Sequence, residues 1–287
     1  MVKVLVTGAT GFIGNHIVAE LLRRNVKVIA TSRNIEKAKK FEWFSQVTYV
    51  PCTLPIDERT NYYEYFHRPS HIIHLAWEGL PNYLDVFHFE RNLYHNYFFL
   101  KNLIINGLKD VSVIGTCLEY GLVNGCLSEQ MPTNPHTAYG LAKDTLRRFL
   151  ELMHKQYDFN FKWIRLFYTY GKGQSEKSLL AQLDKALENG ERTFNMSGGE
   201  QIRDYLPVEK VAEYIVEISL QQAMQGIFNC CSGNPISIRK LVENYLTSKG
   251  KKIALNLGYF SYLTYEPFAF WGDNTKLKSV IKNDDYR

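Results

Sequence analysis

The run Val4-Leu5-Val6-Thr7-Gly8-Ala9-Thr10-Gly11-Phe12-Ile13-Gly14 constrains this chain more than any other segment. An aliphatic strand runs into a glycine-rich turn, and apolar residues at helical spacing open directly after it. Gly8 permits the tight turn, Gly11 lets the backbone approach a ligand closely, and Gly14 allows the helix to pack against the strand. The N-terminus of that helix offers free N–H groups and a positive dipole end, which together suit a pyrophosphate. The spacing is Gly-x-x-Gly-x-x-Gly, one residue away from the commoner G-x-G-x-x-G pattern.

The next strands and helices follow the same alternation. Residues 3–6, 27–31, 47–50, 71–75, 111–115 and 161–167 read as strands. Residues 12–24, 35–41, 57–67, 85–106 and 139–157 carry helical spacing. Such alternation predicts an α/β fold, a Rossmann-type doubly wound parallel sheet with ligands at the C-terminal strand edge. Residues 1–170 form the expected dinucleotide-binding domain and 171–287 a smaller α/β substrate lobe, with helices expected over 177–188, 208–221 and 236–248. Short strands are expected over 193–196, 226–229 and 253–257, and the tail from Tyr259 is aromatic and without clear period.

Composition narrows the class further. Hydrophobic residues at 45% and charged residues at 22% describe an ordinary globular chain. The charge balance, 34 − 29 = +5, is mild and dispersed, which argues against nucleic acid as partner. No apolar run approaches the roughly 18 residues of a membrane span, and the N-terminus lacks a cleavable signal pattern. Five cysteines without disulfide or zinc rhythm fit reduced thiols, so a cytoplasmic protein is expected. Among the histidines only His71-x-x-His74 has ligand-like spacing; it falls in a strand, so His74 is expected to pack beside a cofactor rather than bind a metal.

The end of the second strand reads Ala30-Thr31-Ser32-Arg33-Asn34, without the acid that would hold an NAD ribose. Arg33 and Ser32 suit a 2′-phosphate, so NADP(H) is the expected cofactor. Tyr139-x-x-x-Lys143 places a phenol and an ammonium on one helix face, where the ammonium is expected to lower the phenol's pKa toward neutrality. Thr116, after the strand 111–115, is placed to bind the same substrate oxygen.

These features, in this order, resemble the extended short-chain dehydrogenase/reductase family, and the resemblance spans nearly the whole chain. Arg165-Leu166-Phe167-Tyr168-Thr169-Tyr170-Gly171 is similar to the family's Arg-x-x-Asn-x-Tyr-Gly segment, with Tyr168 replacing the asparagine. Gly199-Glu200-Gln201-Ile202-Arg203-Asp204-Tyr205 resembles the Gly-x-Gln-x-Arg-Asp segment of its nucleotide-sugar branch. The resemblance implies catalysis by Thr116, Tyr139 and Lys143. It implies cofactor contacts from Gly8, Thr10, Gly11, Phe12, Ile13 and Gly14, and from Ser32, Arg33, Leu75, Ala76 and Trp77, together with Tyr139 and Lys143. It implies a nucleotide-sugar substrate held by Thr116, Tyr168, Ser178, Leu179 and Arg203, the last on the diphosphate.

Reaction type turns on the residues after Thr116. The branch's 4,6-dehydratases carry Thr-Asp-Glu there; Cys117 and Leu118 occupy the acid and base slots here, so elimination loses its chemistry. Glu119 lies one place further on and is expected to point elsewhere, as a structural or hydroxyl-binding carboxylate. Combined epimerase–reductases place a reactive cysteine two residues before the matching tyrosine, whereas Cys117 lies three before Tyr120. Similarity around Thr116, Arg203 and Tyr265–Gly272 points to reductases of 4-keto-6-deoxyhexoses that feed surface-polysaccharide synthesis. A 4-epimerase with retained NAD and a non-catalytic cofactor-binding sensor or scaffold are the alternatives. Tyr62, Tyr63, Tyr65 and Phe66 read as a core-facing helix side. Tyr94, Tyr97, Phe98 and Phe99 lie on the long helix that in this family commonly forms a dimer interface, so a homodimer is expected.

Overall fold

A computed structural model describes residues 2–281. Residues 282–287, the end of the expected substrate lobe, lie outside the described residues. Seven parallel strands form the main sheet: β1 (Lys3–Thr7), β2 (Lys27–Thr31), β3 (Thr48–Tyr49), β4 (His71–His74), β5 (Asp110–Thr116), β6 (Asn160–Leu166) and β7 (Gly226–Cys230). Their spatial order is 3-2-1-4-5-6-7, all in parallel register. The order reverses between β1 and β4, which opens a crevice at their C-terminal ends, the place where a doubly wound sheet binds its ligand.

Alternation along the strands explains the layers. Val4 and Val6 face one side, with the helices Phe12–Arg23 and Val208–Leu220 packed over them through Ile17, Leu21, Val211 and Ile215. Leu5 faces the other side, covered by Leu93–Ile105 and Ala138–His154 through Phe99, Leu103, Leu146 and Leu150. Helix and strand after residue 207 thus return to the first layer, so the main sheet draws on the chain from both sides of residue 170.

Three expected helices are shorter than their periodicity suggests, and local caps mark the start of two of them. The Asn34 side chain caps Ile35–Ala38 by accepting from Lys37 N at 3.0 Å. Asn61 caps Tyr62–Tyr65 by accepting from Glu64 N at 3.1 Å, while Asp57 holds the preceding turn through Arg59 N at 3.1 Å. In the third segment Asp85 accepts from Phe87 N at 3.1 Å, and a wider helical turn over His88–Asn92 runs into regular α-helix from Leu93. Short polar side chains compete with the helix for backbone donors and so mark its first residue.

The lobe is built from short pairings. Ile202–Pro207 runs parallel to Tyr168–Tyr170 and antiparallel to Pro235–Ser237; Phe270–Gly272 pairs with Gly125–Leu127. The aromatic tail therefore contains a strand, and the helix Thr275–Ile281 follows it. Among the described residues no helix is long and apolar enough to cross a membrane.

Candidate active site

β1 ends at Thr7, and Gly8 then turns the chain at φ +65°. A Cβ on Gly8 would come within 3.1 Å of Ala76 N, and one on Gly14 would meet the Gly8 carbonyl oxygen at 2.2 Å. Both positions therefore demand glycine. The Thr7 hydroxyl accepts from the N–H groups of Leu75 and Ala76, each at 3.1 Å, and lies 2.9 Å from His74 Nδ1. His74 Nε2 is 2.8 Å from Asn96 Oδ1, and Asn96 Nδ2 donates to Asn92 O at 2.6 Å. Because the Asn96 oxygen must then accept, His74 carries its proton on Nε2 and takes the Thr7 proton on Nδ1. Burial, with the Lys143 charge beside it, lowers the imidazole pKa to about 3, so it is neutral throughout the working range. This clamp ties the ends of β1 and β4 to the long helix.

The clamp borders a cleft of about 420 Å³ lined by Gly8, Thr10, Gly11, Thr31, Ser32, Arg33, Leu75, Ala76 and Trp77, all but Thr31 expected cofactor positions. Phe12 and Ile13 form the first helical turn behind it, with Ile13 packed on the core. Thr31 Oγ1, on the cleft wall, is buried without a partner. A glycine cradle at a helix N-terminus and an orphaned hydroxyl fit a dinucleotide. The Ser32 hydroxyl is held by Tyr49 OH at 2.9 Å. Arg33 pairs with Glu78, a cleft residue that sequence reasoning missed because it lies beyond the end of β4, 45 residues from Arg33.

Tyr139, Lys143 and Thr116 come together at the far side of Trp77. Thr137 caps the helix Ala138–His154 by accepting from Gly140 N at 3.0 Å. A Cβ on Gly140 would approach Leu118 O to 2.8 Å, so glycine lets this helix press against the turn that follows Thr116. Tyr139 is thereby brought within hydrogen-bonding reach of the Thr116 side chain. Trp77 and Tyr83 wall in the phenol, with ring centroids 5.9 and 5.6 Å away. Lys143 Nζ donates to Ile114 O at 2.8 Å and sits 4.0 Å from the Trp77 ring centroid.

The electrostatics correct one expectation. Burial pushes the Tyr139 phenol well above its ordinary value instead of below it. Burial likewise lowers Lys143 to about 7, opposed by the negative charge of Glu119. Desolvation outweighs the ammonium's attraction because both groups are buried and Nζ is directed at a carbonyl and an indole face. Tyr139 is accordingly a protonated phenol.

Glu119 does point elsewhere. Fully buried, it accepts from Thr116 N at 2.9 Å, Trp163 Nε1 at 2.9 Å and Arg165 Nε at 2.7 Å. Arg165 in turn stacks on Tyr120, 4.4 Å from guanidinium carbon to ring centroid. The carboxylate thus anchors the Thr116 backbone to β6 and leaves Cys117 and Leu118, both buried, in the positions after the threonine.

On the lobe side, Ser178 donates to Ser175 O at 2.7 Å and precedes the helix Leu179–Glu188, where Leu179 packs on the lobe core. Arg203, expected on a diphosphate, is turned inward and 5% exposed. It donates to Tyr168 OH at 3.3 Å, to the carbonyls of Ile202 and Phe268 at 2.8 and 3.0 Å, and to Glu266 Oε2 at 2.8 Å. Of the five donors a guanidinium carries, those bonds engage four.

Residues 4–231 match the family described as NAD dependent epimerase/dehydratase. The chain belongs to that family. It is 30% identical to dTDP-6-deoxy-L-talose 4-dehydrogenase (NAD(+)) of Aggregatibacter actinomycetemcomitans, over 94% of this chain and 99% of that one. It is 25% identical to dTDP-4-dehydro-6-deoxyglucose reductase of Escherichia coli, over 88% and 83%. Among solved structures, UDP-glucuronic acid 4-epimerase from Bacillus cereus, in complex with UDP-glucuronic acid and NAD, superposes with a TM-score of 0.82 at 21% identity, over 98% of this chain and 93% of that one. MoeE5 in complex with UDP-glucuronic acid and NAD gives 0.81 at 23%, over 98% and 92%. The Rossmann-type fold and the extended short-chain dehydrogenase/reductase family expected from sequence are both established, and the family supports a nicotinamide-dinucleotide cofactor.

Proposed function

We propose that this protein is an NADPH-dependent reductase of the C4 keto group of a nucleotide-linked 4-keto-6-deoxyhexose. The observation that carries the reading is the fate of the residues after Thr116. Elimination needs an acid and a base beside the threonine; Cys117 and Leu118 supply neither, and Glu119 is bound into the protein interior. What remains is chemistry at one carbonyl. When bound, the reduced cofactor supplies a hydride to the carbonyl carbon. Tyr139 gives its phenolic proton to the carbonyl oxygen, and Thr116 orients that oxygen. Burial keeps the Tyr139 phenol protonated, the form from which a proton can be given. Two relatives support the substrate class, since their names place oxidation or reduction at C4 of a 6-deoxy sugar on dTDP.

NADP(H) is proposed over NAD(H) because Arg33 and Ser32 stand at the acid-free end of β2, with Glu78 as the counterion that a 2′-phosphate displaces. Tyr168, Ser178 and Leu179 are proposed for the substrate. A homodimer is proposed through the two helices that expose Tyr94, Ile105, Leu141 and Leu152; sedimentation giving a monomer at micromolar concentration would refute it.

The test is direct. With dTDP-4-keto-6-deoxyglucose, one NADPH is consumed per C4 alcohol formed, and in deuterated water C3 and C5 stay unlabelled. Tyr139→Phe lowers turnover by about 10²–10⁴-fold while retaining cofactor binding. Turnover without net NADPH loss identifies the retained-cofactor epimerase instead, and cofactor binding without turnover of any 4-keto sugar nucleotide identifies the sensor.

A further inference from the structure

The helix Leu93–Ile105, with the residue before it, turns one face toward the cleft. Asn92, His95, Asn96 and Phe99, spaced three or four apart, share that face and line the cleft. Three of them are engaged within the protein. Asn92 Nδ2 donates to Glu78 O at 3.0 Å, and Asn96 both accepts and donates within the His74 clamp. Phe99 lies against the His74 ring, with centroids 5.5 Å apart. His95 differs from all three. Its imidazole is half-buried, and no hydrogen bond, ion pair or ring contact engages it among the described residues.

Its neighbours assign it to one end of the cleft. Tyr139 and Thr116, which the proposed chemistry sets beside the nicotinamide, lie on the β5 side, beyond Trp77. The opposite end lies over β2 and β3, where Ser32, Arg33, Cys52 and Leu54 line the wall. Asn92, one turn before His95, is tied to Glu78, the partner of Arg33 after β2. Phe99, one turn after it, belongs to the apolar cluster that holds Val50 and Leu54 from the chain after β3. A dinucleotide laid along the cleft with its nicotinamide toward Tyr139 therefore brings its adenosine half to His95.

That wall otherwise offers a base little to bond with. Burial pushes the Cys52 thiol up to about 11, and its weak bond goes to Thr53 O at 3.9 Å. Leu54 is apolar, and the Ser32 hydroxyl is already 2.9 Å from Tyr49 OH. A neutral imidazole carries one N–H and one bare nitrogen. Adenine presents ring nitrogens that accept, N3 and N7 among them.

We propose that His95 binds the adenosine half of the dinucleotide, its imidazole N–H donating to a ring nitrogen of the base. The proposal rests on the reading of this cleft as the dinucleotide site and deepens it. Arg33 separates NADP(H) from NAD(H), because the 2′-phosphate belongs to only one of them. His95 addresses the part that both share, so it contributes to both alike.

The experiment measures dissociation constants of wild type, His95→Leu, His95→Ala and His95→Gln for NADPH, NADH and adenosine 2′,5′-bisphosphate, the last by displacement of NADPH. Both apolar variants are expected to weaken all three ligands by a common factor of about 3- to 10-fold, the range of one hydrogen bond. His95→Gln keeps an N–H and is expected to lie closer to wild type. Should His95→Leu fail to fold, His95→Ala decides. A loss confined to NADPH would place His95 on the 2′-phosphate and overturn the proposal. A loss of NADPH and NADH with adenosine 2′,5′-bisphosphate unchanged would place it on the nicotinamide side and overturn it too. Unchanged affinities in both apolar variants, or a Gln variant as weak as His95→Ala, would do the same. A Gly14→Ala protein that keeps wild-type affinity for NADPH removes the cleft reading itself, and the proposal with it.

Discussion

Lys143 is buried to 1% exposure with a carbonyl and an indole face as its neighbours, so replacing it tests the balance between catalysis and stability. Its pKa falls from 10.5 to about 7 on folding. At roughly 1.4 kcal/mol per unit, that shift sets an upper bound of about 5 kcal/mol on the cost of burying the charge. The folded-state pKa is depressed, so the unfolded chain binds more protons between pH 7 and 10.5 and stability rises with pH across that window. Below pH 7 both states are charged and the full cost is present. Lys143→Met fills the same space without charge, at the loss of one hydrogen bond and a cation–π contact worth together about 1–3 kcal/mol. The cofactor-free variant is therefore expected to exceed wild type by about 2–4 kcal/mol at pH 6, and by roughly half the charge term less at pH 9. Urea unfolding at the two pH values, without cofactor, measures both differences. Turnover falls by at least 10²-fold in the same variant. Equal pH dependence in the two proteins, or a variant less stable than wild type at pH 6, would refute the reasoning.

Other perturbations separate the remaining parts of the site. Glu78→Gln removes the counterion of Arg33 and is expected to tighten NADPH about 3- to 10-fold with NADH unchanged, because the pair is exposed and screened; fluorescence titration of both cofactors checks it, and a parallel change in NADH argues against it. Glu119→Ala strands the buried Arg165 guanidinium and is expected to cost about 3–5 kcal/mol, read by thermal unfolding as a drop of roughly 10 °C. Gly14→Ala forces a methyl into the Gly8 carbonyl and is expected to weaken dinucleotide binding by more than tenfold, measured by the same titration.

Local chemistry made the sheet and the dinucleotide site readable, while contacts across the chain set the rest. Gly8, Gly11 and Gly14 announce their turn because strand, glycines and helix are contiguous. Tyr139 and Lys143 are readable as a pair because one helix turn separates them. Their protonation behaviour was not, because burial by Trp77, Tyr83 and the turn after Thr116 comes from three other segments. Glu119 could be excluded from catalysis by its offset from Thr116, yet its partners Trp163 and Arg165 lie on a different strand. Arg203 marks the limit most clearly. Its motif suggests a phosphate ligand, but its counterion Glu266 lies 63 residues onward, in a tail without periodicity. A motif states which donors a segment carries, and only the folded neighbours decide which of them are left for a ligand. The bonds that Arg203 makes to Tyr168, Phe268 and Glu266 are therefore set by the fold and not by its motif.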